Sequence, residues 1–232
     1  MAKLEALKPV LMLSPHLDDA VFSCGHFLMA HPSTIVVTVL AGAPEVTHEG
    51  YNSKTTGKTY APDAIKVRRD EDLHAMNSLG ATPIWLDLLD SDYAAYRPAT
   101  NYVEVMRHEI ARVLDETRPG SVFAPLGLIH SDHLAVSEAC RTLMSEYALT
   151  WYLYMDLPYG LASRITVSKR LRAFRQRADL VAFDGYDAEP GLKQRVMSLY
   201  ETQYEQTRQN YRKRFDATTR GAERYWRVEN PL

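Results

Sequence analysis

Val10-Leu-Met-Leu13, Ser14-Pro15, His16-Leu-Asp-Asp19, Ala20-Val-Phe-Ser-Cys-Gly-His-Phe-Leu-Met29 and Thr34-Ile-Val-Val-Thr-Val-Leu40 follow one another near the start of the chain. The first run is a short apolar strand stopped by Ser-Pro. A polar break of one histidine and two aspartates comes next, then a helix-length stretch. The last run is β-branched and closes on Ala41-Gly42, the composition of a buried strand. Strand, loop, helix and strand within about 42 residues make one β-α-β crossover.

Outward from that unit the alternation continues. Pro62-Asp63 opens a helix with Leu73, Met76 and Leu79 on one face and Gly80 as its stop, and Pro83 to Leu89 reads as a third strand. Tyr102, Val105, Met106, Ile110, Val113 and Leu114 recur at helical spacing, so residues 101 to 117 form an amphipathic helix closed by Arg118-Pro119-Gly120. Ser121 to Pro125 is a fourth strand. Val136, Ala139, Cys140, Leu143 and Met144 mark another helical face, and Leu149 to Leu157 is a fifth apolar run. This order predicts an α/β fold whose mostly parallel central sheet is covered by helices on both faces.

After Pro158 the pattern loosens. Leu180 to Phe183 is a short strand, Leu192, Val196, Leu199 and Gln203 align on one long final helix, and the charge-rich stretch Arg208 to Arg227 reads as a solvated helix and tail. We expect one domain over 1–232, with a motif-bearing core at about 8–160 and a C-terminal helical and strand extension at about 161–232. Residues 43 to 61, rich in Gly, Thr, Ser, Asn and Lys and without periodicity, read as a substrate-side loop.

Composition narrows the class. The 232 residues, 46% hydrophobic, can bury a sizeable core. Basic and acidic side chains number 27 and 29, a formal net charge of -2, so no global field favours nucleic acid or an anionic membrane. No apolar run approaches the roughly 20 residues of a spanning helix, and the N-terminus lacks a signal-peptide core. Cys24 and Cys140 are too few for a disulfide framework. The expectation is a cytoplasmic protein with no nucleic-acid partner and no membrane span; its oligomeric state, homo-oligomer included, is left open.

In an open α/β sheet the ligand crevice lies at the carboxyl ends of the strands. Two polar clusters fall there: Pro15-His-Leu-Asp-Asp19 after the first strand, and His130-Ser-Asp-His133 after the fourth, opening a helix. Imidazole and carboxylate are ligands that Zn²⁺ or Fe²⁺ accepts, and catalytic zinc takes three protein ligands plus water. His16 and Asp19 lie three apart on a turn and can face one ion, with His133 as third ligand. Asp18 is then free to take a proton from water. His130 suits polarising an amide oxygen or protonating a leaving amine, and Asp132 suits accepting an imidazole N–H. The bland alternative is that Asp18, Asp19, Ser131 and Asp132 cap helices, but capping requires histidine in neither cluster. His26, His31, His48, His74 and His108 have no partner cluster and read as surface or satisfied core positions, and Cys24 and Cys140 as buried small side chains.

The two clusters, in this order and on these elements, resemble the LmbE-like or PIG-L superfamily of zinc-dependent N-deacetylases, with its His-Pro-Asp-Asp-Glu and His-x-Asp-His motifs. Here they stand as His16-Leu-Asp-Asp-Ala20, followed by Cys24-Gly25, and His130-Ser-Asp-His133. Arg68-Arg-Asp-Glu71, Leu79-Gly80 and Leu86-Asp-Leu-Leu-Asp90 extend the resemblance over at least residues 10 to 144, with a weaker echo in Tyr200-Glu-Thr-Gln203. The resemblance implies a Rossmann-like three-layer sandwich and removal of an acetyl group from the amide nitrogen of an N-acetylglucosamine-type sugar or glycoconjugate. By matching position it implies His16, Asp19 and His133 as ligands of one Zn²⁺ per chain, or Fe²⁺ or another divalent metal. It implies Asp18 as general base, His130 as oxyanion stabiliser or acid, and Arg68 as a substrate-side arginine, with Arg69 adjacent. Leu17 and Ala20 depart from the family's proline and glutamate; neither is a ligand, so the departures bear on substrate identity.

The partner so implied is a small N-acyl molecule that contains sugar. A second reading keeps the site but moves the substrate to an acylated antibiotic, lipid or amino-acid conjugate, with Tyr93, Tyr96, Trp151 and Tyr159 shaping the pocket. A nucleotide-binding Rossmann protein needs a Gly-x-Gly-x-x-Gly turn, where this chain has His16, Asp18 and Asp19. A non-catalytic binding module is the remaining alternative.

Overall fold

The apolar run that opens the chain is buried along its whole length, as a central parallel strand covered on both sides must be. In the computed structural model, which describes residues 7–44, 61–98, 101–185, 191–220 and 223–231, it is β1 (Val10–Ser14). There follow α1 (Asp19–Ala30), β2 (Ile35–Thr38), α2 (Ala61–Leu79), β3 (Thr82–Trp85), a 3-10 turn (Ser91–Tyr96), α3 (Tyr102–Thr117), β4 (Ser121–Pro125), α4 (Ser131–Glu146) and β5 (Thr150–Tyr154). The chain ends with α5 (Tyr159–Ala162), α6 (Arg164–Arg175), β6 (Asp179–Asp184), α7 (Leu192–Met197), α8 (Glu201–Thr219) and β7 (Arg224–Glu229). Most of the loop expected at 43–61, and His48 with it, lies outside the described residues.

Seven strands form one sheet in the order β3-β2-β1-β4-β5-β7-β6. Neighbours from β3 to β5 pair parallel, and β7 runs antiparallel to both β5 and β6. Alternate residues of β1 supply the two faces. Leu11 and Leu13 pack with Met106 and Ile110 of α3, Val136 and Cys140 of α4 and Phe174 of α6. Val10 and Met12 pack with Phe22 and Phe27 of α1, Met76 of α2 and Met197 of α7. The result is the expected three-layer α/β sandwich. Strand order reverses at β1, whose neighbours are β2 on one side and β4 on the other, and the crevice at such a switch point is where ligands bind.

Three expectations are corrected. The third strand stops at Trp85, and Leu86 to Leu89 leave the sheet except for an antiparallel bridge between Leu40 and Asp87. Pro83 sits comfortably there because β3 is an edge strand. The long final helix is broken between α7 and α8, where Tyr200 turns inward, and Leu199, like Leu73 on α2, is exposed. The largest difference is in the tail. Arg224-Tyr-Trp-Arg-Val-Glu229 is a strand inserted between β5 and β6, with Trp226 opposite both Leu153 and Ala182. Tyr225, Trp226 and Val228 are buried, and charged residues hold the partly open positions between them. That charge made the segment read as solvated.

Candidate metal centre

The first cluster is shaped by its own backbone. Ser14 Oγ donates to the His16 carbonyl at 2.6 Å and accepts from Ala20 N–H at 2.9 Å, folding the turn back over the end of β1. Asp19 Oδ2 accepts from His16 N–H at 2.9 Å and lies 3.0 Å from His16 Nδ1. Asp18 occupies the cap position of α1 but makes no side-chain capping bond, so the capping account does not explain it. At the second cluster the cap is the histidine: His130 Nδ1 accepts from Asp132 N–H at 3.3 Å at the start of α4.

The two loops meet. His133 Nε2 lies 3.0 Å from the same Asp19 oxygen, and the His16 and His133 rings are 5.3 Å apart. One ligand atom each from His16, Asp19 and His133 falls within 4.8 Å of the others. His133 Nε2 is fully buried and makes no well-aligned hydrogen bond, its 3.0 Å contact with Asp19 being an ion pair. Two nitrogens and one carboxylate oxygen aimed at a shared point are the donor set of a divalent cation, so the residues fit such a group. A second triple, His16, His130 and Asp132, also falls within 4.8 Å, but Asp132 already accepts from His16 Nε2 at 3.1 Å, Ser91 N–H at 2.9 Å and Arg97 Nη2 at 2.9 Å.

Each of these two imidazoles is backed by a carboxylate, which orients the ring and turns its other nitrogen toward Asp19. Asp132 backs His16. Behind His133 stands Asp156, fully buried, with Oδ1 2.6 Å from His133 Nδ1 and Oδ2 accepting from Gly127 N–H at 2.9 Å. Sequence reasoning missed Asp156 and Arg97. The first had a readable signal, since it follows β5 as His16 and His130 follow β1 and β4. The second had none, because only the 3-10 turn brings Arg97 back to Asp132.

Electrostatics follow from the burial. Burial lowers His133, but the Asp19 charge and the Asp156 hydrogen bond outweigh it and push the imidazole up to about 9. Burial likewise works against His16, and Asp132 and Asp19 raise it. Asp19 is held well below the ordinary carboxylate range, the charges of His133 and His16 overcoming burial. Asp18 goes the other way: burial first, then the neighbouring Asp19 charge, raise it to about 7. His130 is lowered by burial and by the two other histidines. Carboxyl groups with separated affinities around one centre are the signature of acid–base chemistry.

The centre opens into a cavity of about 430 Å³ lined by His16, Asp18, Asp19, His130, Asp132 and, further out, residues of α2 and α8. Arg68 lines it, and Gln203, its amide oxygen turned to the guanidinium, accepts from Arg68 Nε at 3.0 Å and Nη2 at 3.1 Å. Arg69 instead donates to the Ala41 carbonyl and Asp87 and lies over Trp85. Tyr159 lines the cavity, with its ring 5.0 Å from that of His133, whereas Trp151 is buried in the core and Tyr93 packs with Ile65. His26 and the two cysteines are buried, as expected.

A doubly wound sheet that gathers two imidazoles and a carboxylate at its switch point is the framework of a metal-dependent hydrolase. Comparison with known proteins gives the same class. The chain belongs to the PIG-L family, described as GlcNAc-PI de-N-acetylase, which matches residues 11–144. Hydrolysis of an N-acyl amide is the activity that membership carries. The chain is similar to 2'-N-acetylparomamine deacetylase of Streptomyces fradiae, 26% identical over 226 residues, 93% of this chain and 80% of that protein. Among solved structures it resembles a deacetylase of the teicoplanin biosynthesis pathway, with TM-score 0.74 and 24% identity over 94% of this chain and 97% of that one. It also resembles the zinc-inhibited form of teicoplanin deacetylase, with TM-score 0.72 and 22% identity over the same shares. These two likenesses concern the fold. Among the described residues no helix is long and apolar enough to cross a membrane.

Proposed function

We propose that this protein removes the acetyl group from the amide nitrogen of an amino sugar or its glycoconjugate, with one zinc ion held by His16, Asp19 and His133. The observation that carries the reading is the convergence of His16 Nδ1 and the buried His133 Nε2 on one Asp19 oxygen, each at 3.0 Å. A zinc ion held there would supply a Lewis acid for the amide carbonyl and would acidify water.

The chain's own groups do the rest. Asp18, raised to about 7, is poised near neutrality to take a proton from the attacking water and deliver it to the leaving nitrogen. Because His130 Nδ1 accepts a backbone N–H, its proton sits on Nε2, and its lowered affinity keeps the ring neutral. Nε2–H then serves as a donor to the amide oxygen as negative charge develops. Arg68, steadied by Gln203, offers a cationic fork to substrate hydroxyl or acidic groups. The polar side chains Gln206, Thr207 and Asn210 of α8, on the cavity wall, suit a polyhydroxylated partner. The paromamine relative supports an amino-sugar substrate in particular.

Acetate release from a panel of N-acetyl glucosaminides and N-acetylated aminoglycosides tests this. The reading expects turnover by the zinc-loaded protein, loss on chelation and recovery with one equivalent of zinc. No acetate from any member of the panel, with metal bound, would overturn the sugar assignment.

A further inference from the structure

The loop between β4 and α4 contains two left-handed residues, two positions apart. Gly127 has φ +81°, and a β-carbon there would stand 2.6 Å from Ser137 Cβ, so glycine is the residue the backbone demands. Ile129 has φ +60°. A β-branched side chain in this conformation is a genuine outlier, because its Cβ crowds the following carbonyl. Ile129 is also the centre of a three-residue turn, with His130 N–H donating to the Leu128 carbonyl at 2.6 Å. Turns of that kind at positive φ are rare and strained.

Core packing does not account for the isoleucine. Ile129 is 50% exposed, and its side chain lines the cavity beside His130. Glycine or asparagine would make the same turn with less strain and no exposed apolar surface. Strain retained at such a place points to use of the side chain. The other aliphatic lining residue adjacent in sequence to the centre is Leu17, between His16 and Asp18. Leu40 and Ile65 also line the cavity but, like Leu17, are buried, and the rest of the lining is charged, imidazole, amide or hydroxylated, so Ile129 is the exposed aliphatic spot, one residue from the group that meets the amide oxygen.

We propose that Ile129 is a specificity-determining residue whose side chain packs against the acyl methyl group of the substrate. This rests on the deacetylase reading above and adds what recognises the acyl end. The substrate then covers apolar surface that the free protein leaves open, and strain in the backbone is tolerated because it aims that surface.

The test is a cycle between the side chain and the substrate's methyl group. Parent, Ile129→Gly, Ile129→Asn and Ile129→Val are compared on the N-acetyl and N-formyl forms of one amino sugar, with melting temperature measured in parallel. In the glycine and asparagine variants the melting temperature is expected to hold or rise by up to about 4 °C as strain is released. The ratio of kcat/KM for N-acetyl over N-formyl substrate is expected to fall about fourfold, the worth of one buried methyl group. Valine keeps the parent ratio. Equal losses on both substrates would reduce Ile129 to a device for placing His130 and overturn the proposal, as would a glycine variant with the parent ratio. A parent that turns over neither substrate defeats the deacetylase reading itself, a separate outcome.

Discussion

Helix α1 carries a cluster of buried charge at its start and another at its middle, and the two are finished differently. At the middle, Cys24 leaves helical geometry and the ladder is interrupted. Glu223 fills the break: its two oxygens accept from His26 N–H, Phe27 N–H, the Lys193 ammonium at 2.6 Å and the Tyr225 hydroxyl at 2.7 Å. Lys193 and Glu223 are both fully buried at the side chain. Each carboxylate oxygen has two donors, and the charge is matched. At the start of the helix, Asp19 and His133 are buried and His16 is half-buried, and two imidazole nitrogens share one Asp19 oxygen, with no well-aligned hydrogen bond at His133 Nε2. Buried charge satisfied from within the chain holds a fold together. Buried imidazole and carboxylate atoms that point at a common centre fit a cation.

Substitutions at the two clusters should therefore separate activity from stability. Asp19→Asn, close to isosteric, is expected to lower kcat/KM by roughly 10³-fold or more while moving the melting temperature of the metal-free protein by only a few degrees. Steady-state kinetics beside calorimetry reads both, and a large stability loss would place Asp19 with the structural cluster. Lys193→Met strands Glu223 as an unpaired buried charge and should cost about 3–5 kcal/mol in urea unfolding. Activity per folded molecule should stay within about twofold, and adding Glu223→Gln should restore most of the stability. Activity lost out of proportion to unfolding would break the contrast.

A third buried carboxylate shows a milder case. Asp72, with no exposed surface, accepts from Trp85 Nε1 at 2.7 Å and the Tyr200 hydroxyl at 2.7 Å, and burial outweighs both donors to raise it to about 6. A raised carboxyl contributes stability below its unfolded value, near pH 4, and loses it as pH climbs through about 6. Asp72→Asn should abolish a decline on the order of 3 kcal/mol between those limits, seen as a flatter melting-temperature profile from pH 4 to 7. An unchanged slope would mean that Asp72 is ionised in the folded protein across that range. The smallest expected effect is behind the centre. Asp156→Asn should weaken zinc binding about 10–100-fold by releasing the His133 ring, measured by chelator competition, and Arg97→Met should weaken it less, since Asp132 keeps its Ser91 donor.

How much of this was legible depends on how local the signal is. The crossover around Val10 to Leu40 and the helical faces of α3 and α4 are written in periodicity, and the two His/Asp clusters stand immediately after their strands. The Arg68 to Glu71 segment and the Tyr200 to Gln203 segment lie far apart in the sequence, and the structure joins them. Gln203 accepts from Arg68, Thr202 N–H donates to Glu71 at 2.9 Å, and Tyr200 reaches Asp72. Nothing in either segment alone announces that meeting. β7 stayed hidden for the opposite reason: it is antiparallel to both neighbours and lacks the continuous apolar run of the central parallel strands. Arg224, Arg227 and Glu229 interrupt it, with Arg227 laid over Phe183 and paired with Glu229. Glu223, at its threshold, is the residue that completes α1.

The most direct test is a calorimetric titration of the metal-free chain with zinc, repeated on His133→Ala and His130→Ala. The account predicts one zinc per chain for the parent, retained in His130→Ala and lost in His133→Ala. Binding by His133→Ala with the parent's stoichiometry and affinity would contradict it.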